Sequence, residues 1–249
     1  MTATLRLATF NIHHGVGADG ILDLERVAAA IEQAGAQVAC LQEVDRHLGR
    51  RSGYLDQAGW LAQRLGMDHA FGAVIDADPS GPGGARRQYG MATLTVFPIQ
   101  DSRRTLFDPP MAGEQRGLLD IRLDVGGIQL RVLNTHLEVG SHVERLAQVA
   151  TIRGVVRNGP QPVVLLGDFN AEPTSTEIGL ITQEVVDAWA VAGTGDGLTF
   201  DATTPYARID YVLVSPGIAI ASANVVATEA SDHRPVVVDV VLSPDDNTG

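Results

Sequence analysis

Asp168 and Asn170 stand at the end of an aliphatic run, VVLLGDFNAEP, residues 163 to 173. The pattern recurs. LRLATFN (5–11) ends on Asn11, QVACLQEVD (37–45) carries Glu43, and LRVLNTHLE (130–138) carries His136. RIDYVLVS (208–215) holds Asp210 near its start, and in SDHRPVVVDVVL (231–242) Asp232 and His233 precede the apolar residues. One polar residue at the end of a buried run is ordinary. Six such runs point to a place where their ends meet. Acids buried together cost several kcal/mol each unless paired, solvated or holding a cation. The donors are Asp, Glu and Asn oxygens with no thiolate, which suits Mg²⁺ or Mn²⁺ over Zn²⁺. The histidines meet a second need. Splitting a phosphate ester requires a water to lose a proton and the phosphoryl oxygens to be stabilised. Histidine does the first near neutral pH when a carboxylate fixes its tautomer.

The elements that must position these groups are short. The six runs read as strands, as do YGMATLTVF (89–97) and GLLDIRLDV (117–125); the latter alternates like a half-buried strand and turns at Gly126-Gly127 into a hairpin. DLERVAAAIEQAG (23–35) reads as a helix with Asp23 as N-cap and Gly35 as stop; LDQAGWLAQRLG (55–66) and HVERLAQVATIRGVV (142–156) are similar, and TEIGLITQEVVDAWA near 177–190 is a weaker helix. Strands mixed with helices and hairpins give an α/β or α+β fold with mixed sheets. No composition break divides the chain, so one domain is expected over 1–249, with a core at about 5–242 and a frayed tail at 243–249. His13 and His14 follow the first run directly. As neighbours on a strand they would face opposite sides, so at most one is expected at the site, and both are read as supporting or structural.

Composition narrows the field. The 249 residues are 45% hydrophobic, enough for a sizeable core, and no stretch approaches the ~20 apolar residues that span a bilayer. No signal peptide is visible, so a cytoplasmic location is expected. Cys40 is the single cysteine and sits in an apolar run, so it reads as a core residue. A net charge of −12 argues against broad adhesion to nucleic acid or anionic membrane. All 18 basic residues are Arg, several of them clustered, and guanidinium forks suit phosphate oxygens. The Gly- and Pro-rich stretch 76–87 carries Arg86 and Arg87 and leads to Tyr89; these three are candidate substrate contacts at the rim of a cleft.

TFNIHHG, LQEVD, NTHLE, GDFNAEP, RIDYVLVS and SDHRP, in this order, resemble the endonuclease/exonuclease/phosphatase superfamily, over nearly the whole chain from Leu5 to about Leu242. The resemblance implies a four-layer α/β sandwich of the DNase I-like kind, two stacked mixed β-sheets flanked by helices, with the site at one edge of the sheets. It implies Glu43 as the main metal ligand, with Asn11 beside it and Asp232 on the same ion or a second one. It implies His233 as the general base or water-activating group oriented by Asp210, Asp168 positioning or helping to deprotonate the water, and Asn170 and His136 donating to phosphoryl oxygens. One departure stands out. YGMATLT has Met91 where the family usually has an amide or acid that supports the histidine at His136, and a thioether accepts no useful hydrogen bond. Glu114 or another group must take over, or His136 is loosely held. The expected activity is Mg²⁺- or Mn²⁺-dependent hydrolysis of a small or lipid-like phosphodiester. Nuclease and phosphomonoesterase activities at the same site are the alternatives, with nucleic acid disfavoured by net charge.

Overall fold

The computed structural model describes residues 2–111 and 113–243, so most of the expected tail lies outside the described residues. One six-stranded sheet contains β1 (Ala3–Asn11), β2 (Val38–Arg46), β3 (Asp68–Ala77), β4 (Arg87–Thr95), β11 (Ala219–Val225) and β12 (Val236–Leu242), in the order β11-β12-β1-β2-β4-β3. The other contains β5 (Ile99–Leu106), β6 (Gly117–Val125), β7 (Ile128–His136), β8 (Val163–Asp168), β9 (Val186–Asp187) and β10 (Asp210–Val214), in the order β5-β6-β7-β8-β10-β9.

The aliphatic runs are explained by burial on both faces. In β8, Val164 and Leu166 point into the core between the sheets, while Val163 and Leu165 pack outward with Val149, Ile152 and Val156. Those three lie on helix α3 (His142–Asn158). On the other side, Leu41 and Leu94 pack with Val27, Ile31 and Leu61 of α1 (Leu24–Ala34) and α2 (Gln57–Leu65). The result is helix, sheet, sheet, helix: the expected four-layer sandwich. The helix signals hold. Asp23 accepts hydrogen bonds from the amides of Glu25 and Arg26, and Gly35 closes α1 at φ 63°. That angle favours glycine.

Three strands escape the sequence reading. β5 is a polar, largely exposed edge strand, IQDSRRTL, and β11 is also an edge strand. Charge on an edge strand blocks pairing with other chains and also erases the apolar signature. β3, DHAFGAVIDA, is the outer strand of its sheet and lacks clean alternation. The single weak helix near 177–190 is corrected to α4 (Thr176–Ile181), the two-residue β9, and α5 (Ala188–Ala192). Asp187 causes the break by capping α5 at the Trp189 amide while ion-pairing with Arg208 at 2.8 Å.

Strand direction gathers the polar ends. β1 is parallel to β2, and β7 to β8, so the C-terminal ends of each pair share an edge. β12 runs antiparallel to β1, and β10 to β8, so there it is the N-terminal ends that arrive. This is why four runs carry their polar residues last and two carry them first. Register completes the alignment: His136 pairs with Asp168, and Asp168 with Asp210.

Candidate active site

Local backbone devices aim the side chains. Glu43 sits where the β2–β4 register shifts between Leu41 and Val44, with φ 56°. Such a bulge re-aims a side chain out of the alternation. Asn170 has φ 46°, and its amide donates to Asp168 Oδ1 at 2.9 Å. Gly167 is needed for close approach, because a Cβ there would lie 2.0 Å from the Thr135 carbonyl oxygen. Beneath the site, Gln42 donates to Asn134 Oδ1 at 2.8 Å, and Asn134 donates to the Leu41 and Ala92 carbonyls. All these polar groups are buried and partnered, so the bridge fixes one sheet against the other.

Asn11 Nδ2 donates to Glu43 Oε1 and to Asp168 Oδ2, both at 3.1 Å, while its Oδ1 accepts from the His13 amide at 3.1 Å. Asn11 therefore ties the first sheet's acid to the second's. In this orientation it presents N–H rather than oxygen to the acids; a cation between them would favour the flipped amide. Asp210 Oδ2 accepts from His233 Nδ1 at 2.9 Å, and His233 Nε2 points to Asp168 Oδ2 at 3.7 Å. Phe200 covers the His233 ring with centroids 4.8 Å apart. Asp210 is thus not a partner of Arg208, which belongs to Asp187. Asn170 donates from Nδ2 to the Leu137 carbonyl at 3.0 Å. Its second Nδ2 hydrogen is left for another acceptor. Asp232, at the exposed side, accepts from Ser231 Oγ at 3.1 Å.

The question raised by Met91 has a structural answer. Met91 is buried in the core between the sheets. His136 is held instead by Arg116, whose Nη1 lies 2.9 Å from Nδ1. Arg116 in turn pairs with Glu114 at 3.0 Å and faces Glu138 at 3.6 Å. A guanidinium only donates, so Nδ1 of His136 is the lone-pair nitrogen. The ring proton sits on Nε2, 3.5 Å from Asp168 Oδ2. Glu114 acts one step behind, through Arg116. No sequence signal marked Arg116; a buried arginine looks like any other in one dimension.

Electrostatics divides the histidines. Burial and the Arg116 charge push His136 down to about 3, so it is neutral at physiological pH. Burial alone would lower His233, but Asp210 and Asp168 outweigh it and raise it to about 10. Burial and the neighbouring Asp210 raise Asp168. The Asp168–His233 unit therefore holds a proton that a nearby cation would displace. Burial opposes ionisation of Glu43, yet its histidine neighbours and Asn11 hold it well below the usual carboxylate range. Glu43 is a ready anion.

Two compact groups could hold a divalent ion: His13, His14 and Glu43, and Asp168, Asp210 and His233. Two expectations are corrected. His13 and His14 are not on a strand but in a tight 3₁₀ turn, His13–Gly15, with φ 43° and 44°. Both rings face the site, His13 beside Asp232 and His14 beside Glu43. Arg86 and Arg87 are not brought to the cluster. Arg86 is taken up by Asp76 and Asp78, and Arg87 by the Asp78 carbonyl. Tyr89 is buried; burial first, and then the nearby Glu43 and Glu114 carboxylates, raise the pKa of its hydroxyl, and Arg51 sits 5.3 Å over its ring.

A sequence profile of the Endonuclease/Exonuclease/phosphatase family matches residues 8–233. The chain is 27% identical to an endonuclease/exonuclease/phosphatase from Beutenbergia cavernae, covering 96% of this chain and 72% of that one with a TM-score of 0.76. An endonuclease/exonuclease/phosphatase from Bacteroides vulgatus aligns with a TM-score of 0.77 at 23% identity, covering 97% of this chain and 100% of that one. Protein cwh43 of Schizosaccharomyces pombe is 31% identical over 116 residues, 46% of this chain. The chain spans only 11% of the length of that curated relative. The chain belongs to the Endonuclease/Exonuclease/phosphatase family, whose members are hydrolases of phosphoester bonds. Among the described residues, no helix is long and apolar enough to cross a membrane.

Proposed function

We propose that this chain is a Mg²⁺- or Mn²⁺-dependent phosphodiesterase that hydrolyses a small or lipid-like phosphodiester by in-line attack of water. The observation that carries the reading is the row His136–Asp168–Asp210 with His233 against it, facing Glu43 and Asn11 across the two sheets.

Glu43, with Asp232 and Asn11, would hold the divalent ion, which when bound would supply charge neutralisation for the scissile phosphate and the leaving oxygen. The chain's own groups do the rest. Asp210 holds His233 by Nδ1, so Nε2 is the nitrogen that exchanges a proton with the attacking water. Asp168 stands beside Nε2 and orients that water. His136, neutral and protonated on Nε2, donates a hydrogen bond to a phosphoryl oxygen as charge builds there. Asn170 offers its second amide hydrogen to the same group of oxygens. The net charge of −12 favours a small or lipid-like diester over a polynucleotide.

The test is hydrolysis of bis-p-nitrophenyl phosphate beside the p-nitrophenyl monoester, with Mg²⁺, with Mn²⁺ and with EDTA. Diester turnover abolished by EDTA is the expected result. Turnover of the monoester alone would replace the reading with a phosphatase.

A further inference from the structure

The chain has seven histidines. Four give Nδ1 a protein partner: His47 the Tyr54 carbonyl, His136 Arg116, His142 Glu177, and His233 Asp210. His69 is exposed. Only His13 and His14 have a buried Nδ1 with no hydrogen-bond partner, and they are adjacent. A histidine placed for packing alone would satisfy that nitrogen, as the others do.

The backbone goes to some length to bring both rings to one side. His13, His14 and Gly15 all have left-handed φ, 43°, 44° and 83°. The turn is fastened at each step. The His13 amide donates to Asn11 Oδ1, and the Gly15 amide to the Ile12 carbonyl. The His14 carbonyl accepts from Gln57 Nε2 at 2.7 Å, and Gln57 Oε1 holds the Asp45 amide on β2. Gln57 is fully buried, so the turn is tied to the strand that carries Glu43. Unusual backbone over-determined in this way belongs to functional sites.

The ring nitrogens converge on carboxylates at separations too long for hydrogen bonds. His14 Nδ1 is 4.0 Å from Glu43 Oε2, and His13 Nδ1 is 3.9 Å from Asp232 Oδ1. One nitrogen from each ring and one Glu43 oxygen lie within 4.8 Å of one another. Ligands about 2.1 Å from a shared tetrahedral ion stand roughly 3.4 Å apart, so a modest contraction closes the site.

The geometry points to a metal site formed by His13, His14 and Glu43, with Asp232 within reach, that takes a borderline transition-metal cation such as Zn²⁺ or Co²⁺. Two imidazoles and a carboxylate suit these ions; Mg²⁺ takes oxygen. The inference rests on the phosphodiesterase reading only in sharing Glu43. It makes the histidine pair the device that selects which ion Glu43 holds.

The experiment adds Co²⁺ to metal-free protein, recording the visible d–d spectrum and, by calorimetry, the affinities for Co²⁺ and Mg²⁺. Asparagine tolerates left-handed backbone, so His13→Asn and His14→Asn keep the turn and remove the imidazoles. Each should weaken Co²⁺ binding about 100-fold and shift the spectrum, with Mg²⁺ affinity nearly unchanged. Unaltered Co²⁺ affinity and spectrum in the double variant would overturn the site. The readout needs no turnover. A chain that binds Co²⁺ through these histidines yet hydrolyses no diester refutes the phosphodiesterase and leaves the site standing; metal-dependent turnover with unaltered Co²⁺ binding in the double variant does the reverse.

Discussion

Replacing Arg116 with Met tests how His136 is held. The Arg116 side chain is 8% exposed and its Nη1 lies 2.9 Å from Nδ1 of His136, a residue itself 7% exposed. Methionine fills similar space but donates nothing. A hydrogen bond from a charged donor contributes about 1.5–3 kcal/mol. If His136 donates from Nε2 only while Arg116 fixes its tautomer, losing that bond should cut kcat by about 10- to 150-fold. Loss of the cation also removes one of the two main causes that hold His136 down to about 3, so the ring should take up a proton at higher pH than in the native chain. Two assays check this. Steady-state kinetics on a diester gives the kcat loss, with KM changing less. Nitrogen-15 NMR of the imidazole reads the tautomer, with a pyridine-like Nδ1 in the native protein and a mixture in Arg116→Met. Removing Arg116 also leaves Glu114 and Glu138 without their cation, which costs stability. Arg116→Lys separates the effects. It keeps the charge but not the rigid fork, so it should restore most of the stability and less of the rate. A folded Arg116→Met variant with native kcat and a pyridine-like Nδ1 would refute the reasoning.

Other outcomes follow from the same geometry. Asp210→Asn removes the carboxylate that orients His233 at 2.9 Å; kcat should fall about 10³- to 10⁴-fold, as for the same change behind the catalytic histidine of a serine protease, and a loss under tenfold would remove His233 as the proton acceptor. Glu177 is buried against His142 and Arg145. Burial opposes its charge, but hydrogen bonds from the helix amide, His142 and Arg145, together with the Arg145 charge, outweigh it and lower its pKa below the usual 4.5. A depressed carboxyl stabilises the fold above the unfolded-state pKa and loses that contribution as pH falls through the folded value. The stability gap between native and Glu177→Gln chains, from urea midpoints, should therefore be constant near neutrality and shrink below about pH 4.5; parallel curves down to pH 3 would contradict it. Burial pushes the Cys40 thiol up to about 12 and leaves it unexposed, so a thiol reagent should label the chain only after denaturant is added, and rapid labelling of the native protein would show that its strand opens.

The sequence showed what repeats and hid what depends on pairs. Apolar runs capped by acids and amides are periodic and local, so Asn11, Glu43, Asp168 and His233 could be read directly, and strand direction explains the order of polar and apolar residues in each run. The support for His136 could not be read, because it turns on which long side chain reaches across from the segment before β6. Met91 announced a gap, and only the fold shows that Arg116 fills it, with a cation in place of the usual amide or acid. That exchange has a chemical consequence. An acid behind an imidazole favours the imidazolium, whereas a guanidinium excludes it. With His136 at about 3 and His233 at about 10, the one ring is neutral and the other protonated at physiological pH. The misreading of His13 and His14 has the same origin. Alternation was applied to residues just past a strand's end, where three consecutive left-handed residues replace it. Sequence periodicity describes the scaffold well, and it fails where the backbone leaves the regular repeat to aim side chains: the Glu43 bulge, the Asn170 turn and the His13–Gly15 turn all lie at that one edge.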